Sequence, residues 1–101
     1  MGDTLYSDIR RIAEEEGADP DLAIRIAKQE SNLGRNTGPS RAGAVGTMQV
    51  LPSTGREMGL DVNDPMQNIR AGVRYLAQQQ REFGDPSLAA AAYNAGPNRV
   101  R

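Results

Sequence analysis

The chain has 101 residues, 38% of them hydrophobic and 4% aromatic, with a formal net charge of −1. That length supports one domain with a modest core, and so small a charge creates no field favouring nucleic acid or an anionic membrane surface. Histidine and cysteine are both absent, which excludes histidine-based triads, thiolate nucleophiles, disulfides and the usual zinc sites. Acid–base chemistry is left to Asp, Glu, Tyr or Lys28, the only lysine. The other cations are arginines, which suit planar, bidentate contacts as well as solvated helix faces. No apolar run reaches the length of a membrane span. The N-terminal MGDTLYSDIRR lacks the basic and apolar regions of a signal peptide. The expectation is action where the protein is made, a leader already removed, or delivery by another route.

Chain order gives a helix first, within MGDTLYSDIRRIAEEEG. Asp3 or Thr4 can cap it, Leu5, Ile9, Ile12 and Ala13 form its apolar stripe, and Gly17 can end it in left-handed backbone. Glu14, Glu15 and Glu16 lie at its C-terminus, where the helix dipole disfavours them. They are read as a solvated face, not a metal site.

A second helix is expected from Asp19 to Ser31. Asp19 is a good N-cap, and Pro20 fits the first helical position, where a missing N–H costs nothing. Leu22, Ala23, Ile26 and Ala27 precede Glu30 by eight, seven, four and three residues, so Glu30 shares their face. A carboxyl at the border of a core is costly to ionise, the condition a general acid needs near neutral pH. On the stripe alone, a Glu that snorkels or pairs with an arginine fits as well.

The stretch SNLGRNTGPSRAGAVGTMQV is rich in Gly, Ser, Asn and Thr and reads as a loop. It is long for so small a domain, and such loops are often functional. Its second half has room for a short extended segment. LPSTGREMG reads as a short helix opened by Pro52 or Ser53 and stopped by Gly59. A long helix is expected from Asp64-Pro65 to Phe83, burying Ile69, Val73, Leu76, Ala77 and Met66 and ending at Gly84. Asp85-Pro86 opens a last helix, broken at Gly96-Pro97. Its alanines allow close approach of neighbours, which predicts a central place in the bundle. Tyr93, at its end, needs a partner for its hydroxyl, and Glu30 is the expected one if this helix packs beside the Asp19 helix.

Four elements occur in order: Glu30-Ser31 at a helix end, the Gly46-Thr47-Met48-Gln49 turn, Asn68-Ile69-Arg70-Ala71-Gly72, and Ala92-Tyr93-Asn94-Ala95-Gly96-Pro97. Each alone is weak. Together, from about Asp19 to Val100, they resemble the SLT-type lytic transglycosylases, whose catalytic domain has a goose-type, lysozyme-like fold. The resemblance implies a mostly α domain over residues 1–101 with a long cleft loop and little or no sheet.

It also implies roles. Glu30 matches the single catalytic acid/base, and Ser31 the serine that orients it or the substrate's acetamido group. Gly46 and Gln49 match residues that shape the saccharide cleft. Thr47 stands where leucine is common, and Met48 is expected beneath the cleft. Tyr93 and Asn94 match the pair on the last helix, with Tyr93 bonded near the acid. The implied reaction cleaves the MurNAc–GlcNAc bond of peptidoglycan to leave a 1,6-anhydromuramoyl end, without metal or cofactor.

An ordinary glycosidase needs two carboxylates, and the next acids after Glu30 are Glu57, Asp61 and Asp64, all outside the motifs. Two alternatives stay open. One is a hydrolytic muramidase in which such an acid activates water. The other is a wall-binding module of a phage virion or secretion apparatus with little turnover. The expected partner is the peptidoglycan glycan strand, not nucleic acid or an inserted membrane. The expected location is the periplasm or cell envelope, reached by phage-type delivery. Family domains usually continue past the AYNAGP motif, so the sequence also reads as a short domain or a piece of a longer protein.

Overall fold

Three helices begin with the same dipeptide and the same bonds. Asp19, Asp64 and Asp85 stand in extended backbone, each before a proline. Their carboxylates accept first-turn N–H groups, from Asp21 and Leu22, from Gln67, and from Ser87 and Leu88. The acid satisfies donors that have no partner inside the helix, and the proline lacks one of them anyway. The computed structural model describes residues 2–96. Its elements are α1 (Gly2–Glu16), α2 (Pro20–Ser31), α3 (Pro52–Glu57), α4 (Pro65–Phe83) and α5 (Pro86–Ala95). Four helices keep their expected bounds. The first lies within its expected stretch, but α1 already runs from Gly2, which places Asp3 and Thr4 inside the helix and not at its cap. Pro97 and Val100 of the motif region lie outside the described residues.

The helices account for nearly all regular structure among the described residues. An isolated antiparallel bridge between Val45 and Val50 is the short extended segment expected in the loop. Gly17 (φ +80°) and Gly84 (φ +73°) end α1 and α4 in left-handed backbone, which glycine adopts without a Cβ penalty. After α2 the left-handed residues are Asn32 (φ 52°) and Leu33 (φ 55°). The Asn32 N–H closes on the carbonyls of Ala27 and Lys28, and Leu33 packs against the core.

The central element is α4. It packs against α1 and α5 and more lightly against α3, while α1 also packs on α2. The expectation that α5 would be central is corrected. Only Ala89 and Tyr93 of α5 are buried, and Leu88 is 54% exposed. Alanines permit close approach but bring little apolar area, whereas α4 buries residues from Asn68 through Ala77. Met66 is also corrected. It lies in the first turn of α4 and is 40% exposed, so the buried stripe begins at Asn68.

The acidic end of α1 is not simply a solvated face. Glu14 is exposed, but Glu15 and Glu16 meet arginines of α4. Arg70 donates to Glu15 at 2.7 Å and to Glu16 at 2.8 Å, and Arg74 donates to Glu16 at 2.8 and 3.0 Å. The Arg74 guanidinium, followed by that of Arg70, holds the Glu16 carboxyl down to about 2. These pairs offset the unfavourable dipole at the helix end and fasten α1 to α4.

Candidate active site

The Val45–Val50 pair closes a four-residue hairpin loop, with N–H···O bonds of 3.0 and 2.9 Å in the two directions. Inside it Gly46 has φ +84° and Gln49 φ +51°. A left-handed glutamine is uncommon and costs energy unless its surroundings hold it. Its own side chain does part of the holding, because Nε2 donates to the carbonyls of Gly46 (3.0 Å) and Gly38 (3.3 Å).

The middle of the loop is gripped from two helices. The Met48 N–H donates to Asn68 Oδ1 of α4 at 3.0 Å, and the Met48 carbonyl accepts the Tyr93 hydroxyl of α5 at 2.7 Å. Asn68 Nδ2 also donates to the carbonyls of Val45 (2.8 Å) and Val62 (3.0 Å). Two glycines make room for this arrangement. A Cβ on Gly46 would overlap the Asn68 amide, and one on Gly72 would overlap the Met48 side chain and stand 2.9 Å from the Tyr93 hydroxyl. The Tyr93 ring meets Tyr75 edge-on, with centroids 5.3 Å apart. Burial, and to a lesser extent the charge of Glu82, pushes the Tyr75 phenol above its ordinary range.

Glu30 stands in the last turn of α2, half-buried, with its Oε2 atom shielded from solvent. Ser31 follows it and is buried. Its hydroxyl donates to the Ala27 carbonyl (3.2 Å) and accepts the Gly34 N–H (2.8 Å). The loop after α2 is thereby turned back so that Gly34 faces the Thr47 side chain. A Cβ at Gly34 would lie 3.4 Å from Thr47 Oγ1. The turn at Gly34, held by Ser31, is thus a neighbour of Thr47 in the hairpin.

The structure therefore brings Gly46, Met48, Gln49 and Tyr93 into one bonded cluster and sets Ser31 at its edge. It also changes what several of them do. Ser31, Met48 and Tyr93 are buried to 1% exposure or less, so in this conformation they shape the site from beneath and present no surface to a ligand. The Tyr93 hydroxyl donates to the Met48 carbonyl, a backbone partner that the sequence did not indicate. Asn94, next to Tyr93, has a buried Oδ1 with no hydrogen-bond partner among the described residues.

Two neighbouring hollows open near these elements, one beside the hairpin and one along the α3–α4 connection. One of about 180 Å³ is lined by Thr37, Gly46, Thr47 and Asn68 among others. A larger one, about 490 Å³, is lined by Arg56, Leu60, Asp61 and Gln67. Val62 and Asn63 border both, and Glu30 lines neither.

Sequence reasoning named the Asn68 string as a motif but gave Asn68 no task. The available signal was a polar residue inside the apolar stripe of α4, three and four positions before Ala71 and Gly72. Arg70 and Arg74 were missed because their partners lie more than fifty residues away in the chain.

Comparison with known proteins follows the same lines. The family model for the transglycosylase SLT domain matches residues 7–101. The chain is 41% identical, over 91% of its length, to a membrane-bound lytic murein transglycosylase F of Alcanivorax borkumensis. It is 37% identical, over 78% of its length, to the soluble lytic murein transglycosylase of Escherichia coli K12, and 35% identical, over 81%, to a transglycosylase of Enterobacteria phage PRD1. It spans 21%, 14% and 31% of those three proteins. An X-ray structure of an inactive Glu-to-Gln mutant of the lytic transglycosylase Slt from Pseudomonas aeruginosa superposes with a TM-score of 0.76 at 36% identity. That match covers 94% of this chain and 17% of the other. With nearly its whole length matched and its helices superposing on a solved relative, the chain belongs to the transglycosylase SLT domain family.

Proposed function

We propose that this domain is the catalytic part of a peptidoglycan lytic transglycosylase, with Glu30 as its one acid/base. The observation that carries this is how the other carboxyl groups are spent. Among the described residues with characterised side chains, the half-buried acids are Asp8, Glu16, Asp19, Glu30 and Asp64. Asp8 pairs with Arg11 and Glu16 with Arg70 and Arg74, while Asp19 and Asp64 cap α2 and α4. Asp61, the other candidate for a water-activating base, accepts the Asn63 N–H in the α3–α4 connection. Glu57 is exposed at the end of α3. A two-carboxylate hydrolase needs a second acid across the bond, and the acids considered for that place have structural work or lie in solvent.

One acid suffices when the sugar supplies its own nucleophile. Glu30 protonates the leaving oxygen of the MurNAc–GlcNAc bond, and the N-acetyl group stabilises the cationic carbon. Glu30, now ionised, takes the proton of the C6 hydroxyl, which closes the 1,6-anhydro ring. That hydroxyl is tethered to the reacting sugar and so has a high effective concentration. We assign saccharide recognition to Asn94, half-buried at the end of α5, and to the turn around Gln49. The substrate places the action in the cell envelope. Phage-type delivery to the envelope is part of the proposal, and a phage transglycosylase is among the relatives.

The test is mass spectrometry of soluble muropeptides released from sacculi, with borohydride treatment as control. Anhydro ends, lighter by one water and resistant to reduction, are expected. Glu30→Gln should lower release by at least about a thousandfold with the fold retained, because the amide is nearly isosteric but cannot donate a proton as an acid does. A digest dominated by reducible ends, or near wild-type release by Glu30→Gln, overturns the reading.

A further inference from the structure

The Met48 peptide is held at both ends by side chains from two different helices, its N–H by Asn68 and its carbonyl by Tyr93. We infer that Asn68 is a positioning residue for the proposed reaction: it sets the orientation of the Met48 peptide and, through the Met48 carbonyl, the hydroxyl of Tyr93. Tyr93 stands on α5, which packs against the Glu30 helix α2. The inference rests on the reading of Glu30 as the acid.

The chemistry of Asn68 fits this task closely. An asparagine amide offers one acceptor oxygen and two N–H donors. Here the oxygen takes the Met48 N–H, and the nitrogen donates to Val45 at the hairpin's closing pair and to Val62 in the α3–α4 connection. One neutral side chain thus ties two backbone segments to α4, and it is 1% exposed. Aspartate keeps the acceptor but loses both donors and places a charge in the interior. Leucine keeps the volume and loses all three bonds. Gly46 lacks a Cβ where the amide sits, so loop and side chain fit each other. The loop also stores strain at left-handed Gln49. Released from Asn68, the Met48 peptide is free to rotate, and its carbonyl turns away from Tyr93.

The test compares Asn68→Asp and Asn68→Ser with wild type on a soluble oligomer of alternating GlcNAc and MurNAc, at temperatures where circular dichroism shows each protein folded. We expect kcat to fall roughly 30-fold or more with KM within about 3-fold, the scale of a small misplacement in an active site. The same substitutions made in a Tyr93→Phe background should lower kcat by less than about 3-fold further, because residues acting through one another are not additive. Should neither variant fold, an ester replacing the Met48 amide removes the donor to Asn68 while leaving every side chain in place, and the same loss of kcat is expected. A role confined to stability would lower the thermal midpoint equally in both backgrounds and leave kcat of the folded protein unchanged, and that result overturns the inference. Wild type that gives no anhydro product overturns the reading of Glu30 instead.

Discussion

Between α1 and α4, Glu15 and Glu16 meet Arg70 and Arg74 at 2.7–3.0 Å, with side chains 14–46% exposed. Beneath the hairpin, Asn68 meets three backbone groups at 2.8–3.0 Å and is almost wholly buried. The distances overlap, but the consequences should not. At the seam, water and salt screen the charges, and either partner can be rehydrated when the other is removed. Under the hairpin no water replaces a lost partner, so each broken bond leaves a buried donor or acceptor unsatisfied. Charge holds the rim of this molecule, and neutral amides and hydroxyls hold its centre.

The hardest blow to the centre is Gly46→Ala. The new Cβ overlaps the Asn68 amide and also forces alanine to φ +84°. Overpacking and left-handed strain together should cost on the order of 3 kcal/mol or more. Gly43→Ala is the control, at φ +91° with open space around its Cβ, and should cost only about 1 kcal/mol. Urea midpoints measure both. Equal losses at the two glycines would mean that the Asn68 contact is soft.

Next in size is Tyr93→Phe. It removes the hydroxyl and leaves the Met48 carbonyl without that donor, which should cost about 1–3 kcal/mol by chemical denaturation. Turnover should fall less than in Glu30→Gln, since no proton passes through Tyr93 in the proposed reaction. A fully silent Tyr93→Phe would break the contrast between centre and rim.

The same contrast separates what was legible in the sequence from what was not. Helix ends were legible because their causes are local. Asp19, Asp64 and Asp85 bond to residues two or three positions ahead, and Gly17 and Gly84 need nothing but their own backbone freedom. Glu30 stood out because a periodic apolar face ran up to it. The partners of Glu15 and Glu16 were not legible, since no local pattern says that α1 lies along α4. Asn68 was visible only as part of a string, because its three partners come from two other segments of the chain. The need of Tyr93 for a partner is legible, but its bond to the Met48 carbonyl is not, because a backbone carbonyl leaves no mark in a sequence. The central place given to α5 failed for a related reason. Alanine content reports how closely a helix can be approached, not how much area it buries.

At the rim, Glu16 gives a pH signature. Its carboxyl lies at about 2 in the folded protein, against an ordinary value of 4.5. A depressed folded value means that the unfolded chain binds the proton more readily, so the contribution is fully present above about pH 4.5 and is lost as pH falls towards 2. Because the arginines are about one-third exposed, the effect should be on the order of 1 kcal/mol. Thermal midpoints of wild type and Glu16→Gln should converge on acidification through that window. Added salt at neutral pH should narrow the same gap, while leaving the cost of Tyr93→Phe unchanged.

The smallest effect belongs to Arg10→Ala. Arg10 of α1 donates to Asp21 of α2 at 3.0 Å, the same length as the bond from Met48 to Asn68. On distance alone the two would rank together. The side chains of Arg10 and Asp21 are 51% and 80% exposed, so each is well hydrated whether or not they meet, and holding two mobile side chains together cancels most of the attraction. Asp21 also keeps its place in the first turn of α2, where the helix dipole favours an acid with or without Arg10. The expected change is within about 0.5 kcal/mol, read as a urea midpoint at moderate ionic strength. A loss near that of Tyr93→Phe would mean that geometry, not burial, ranks the polar contacts of this domain, and the division between its rim and its centre would have to be given up.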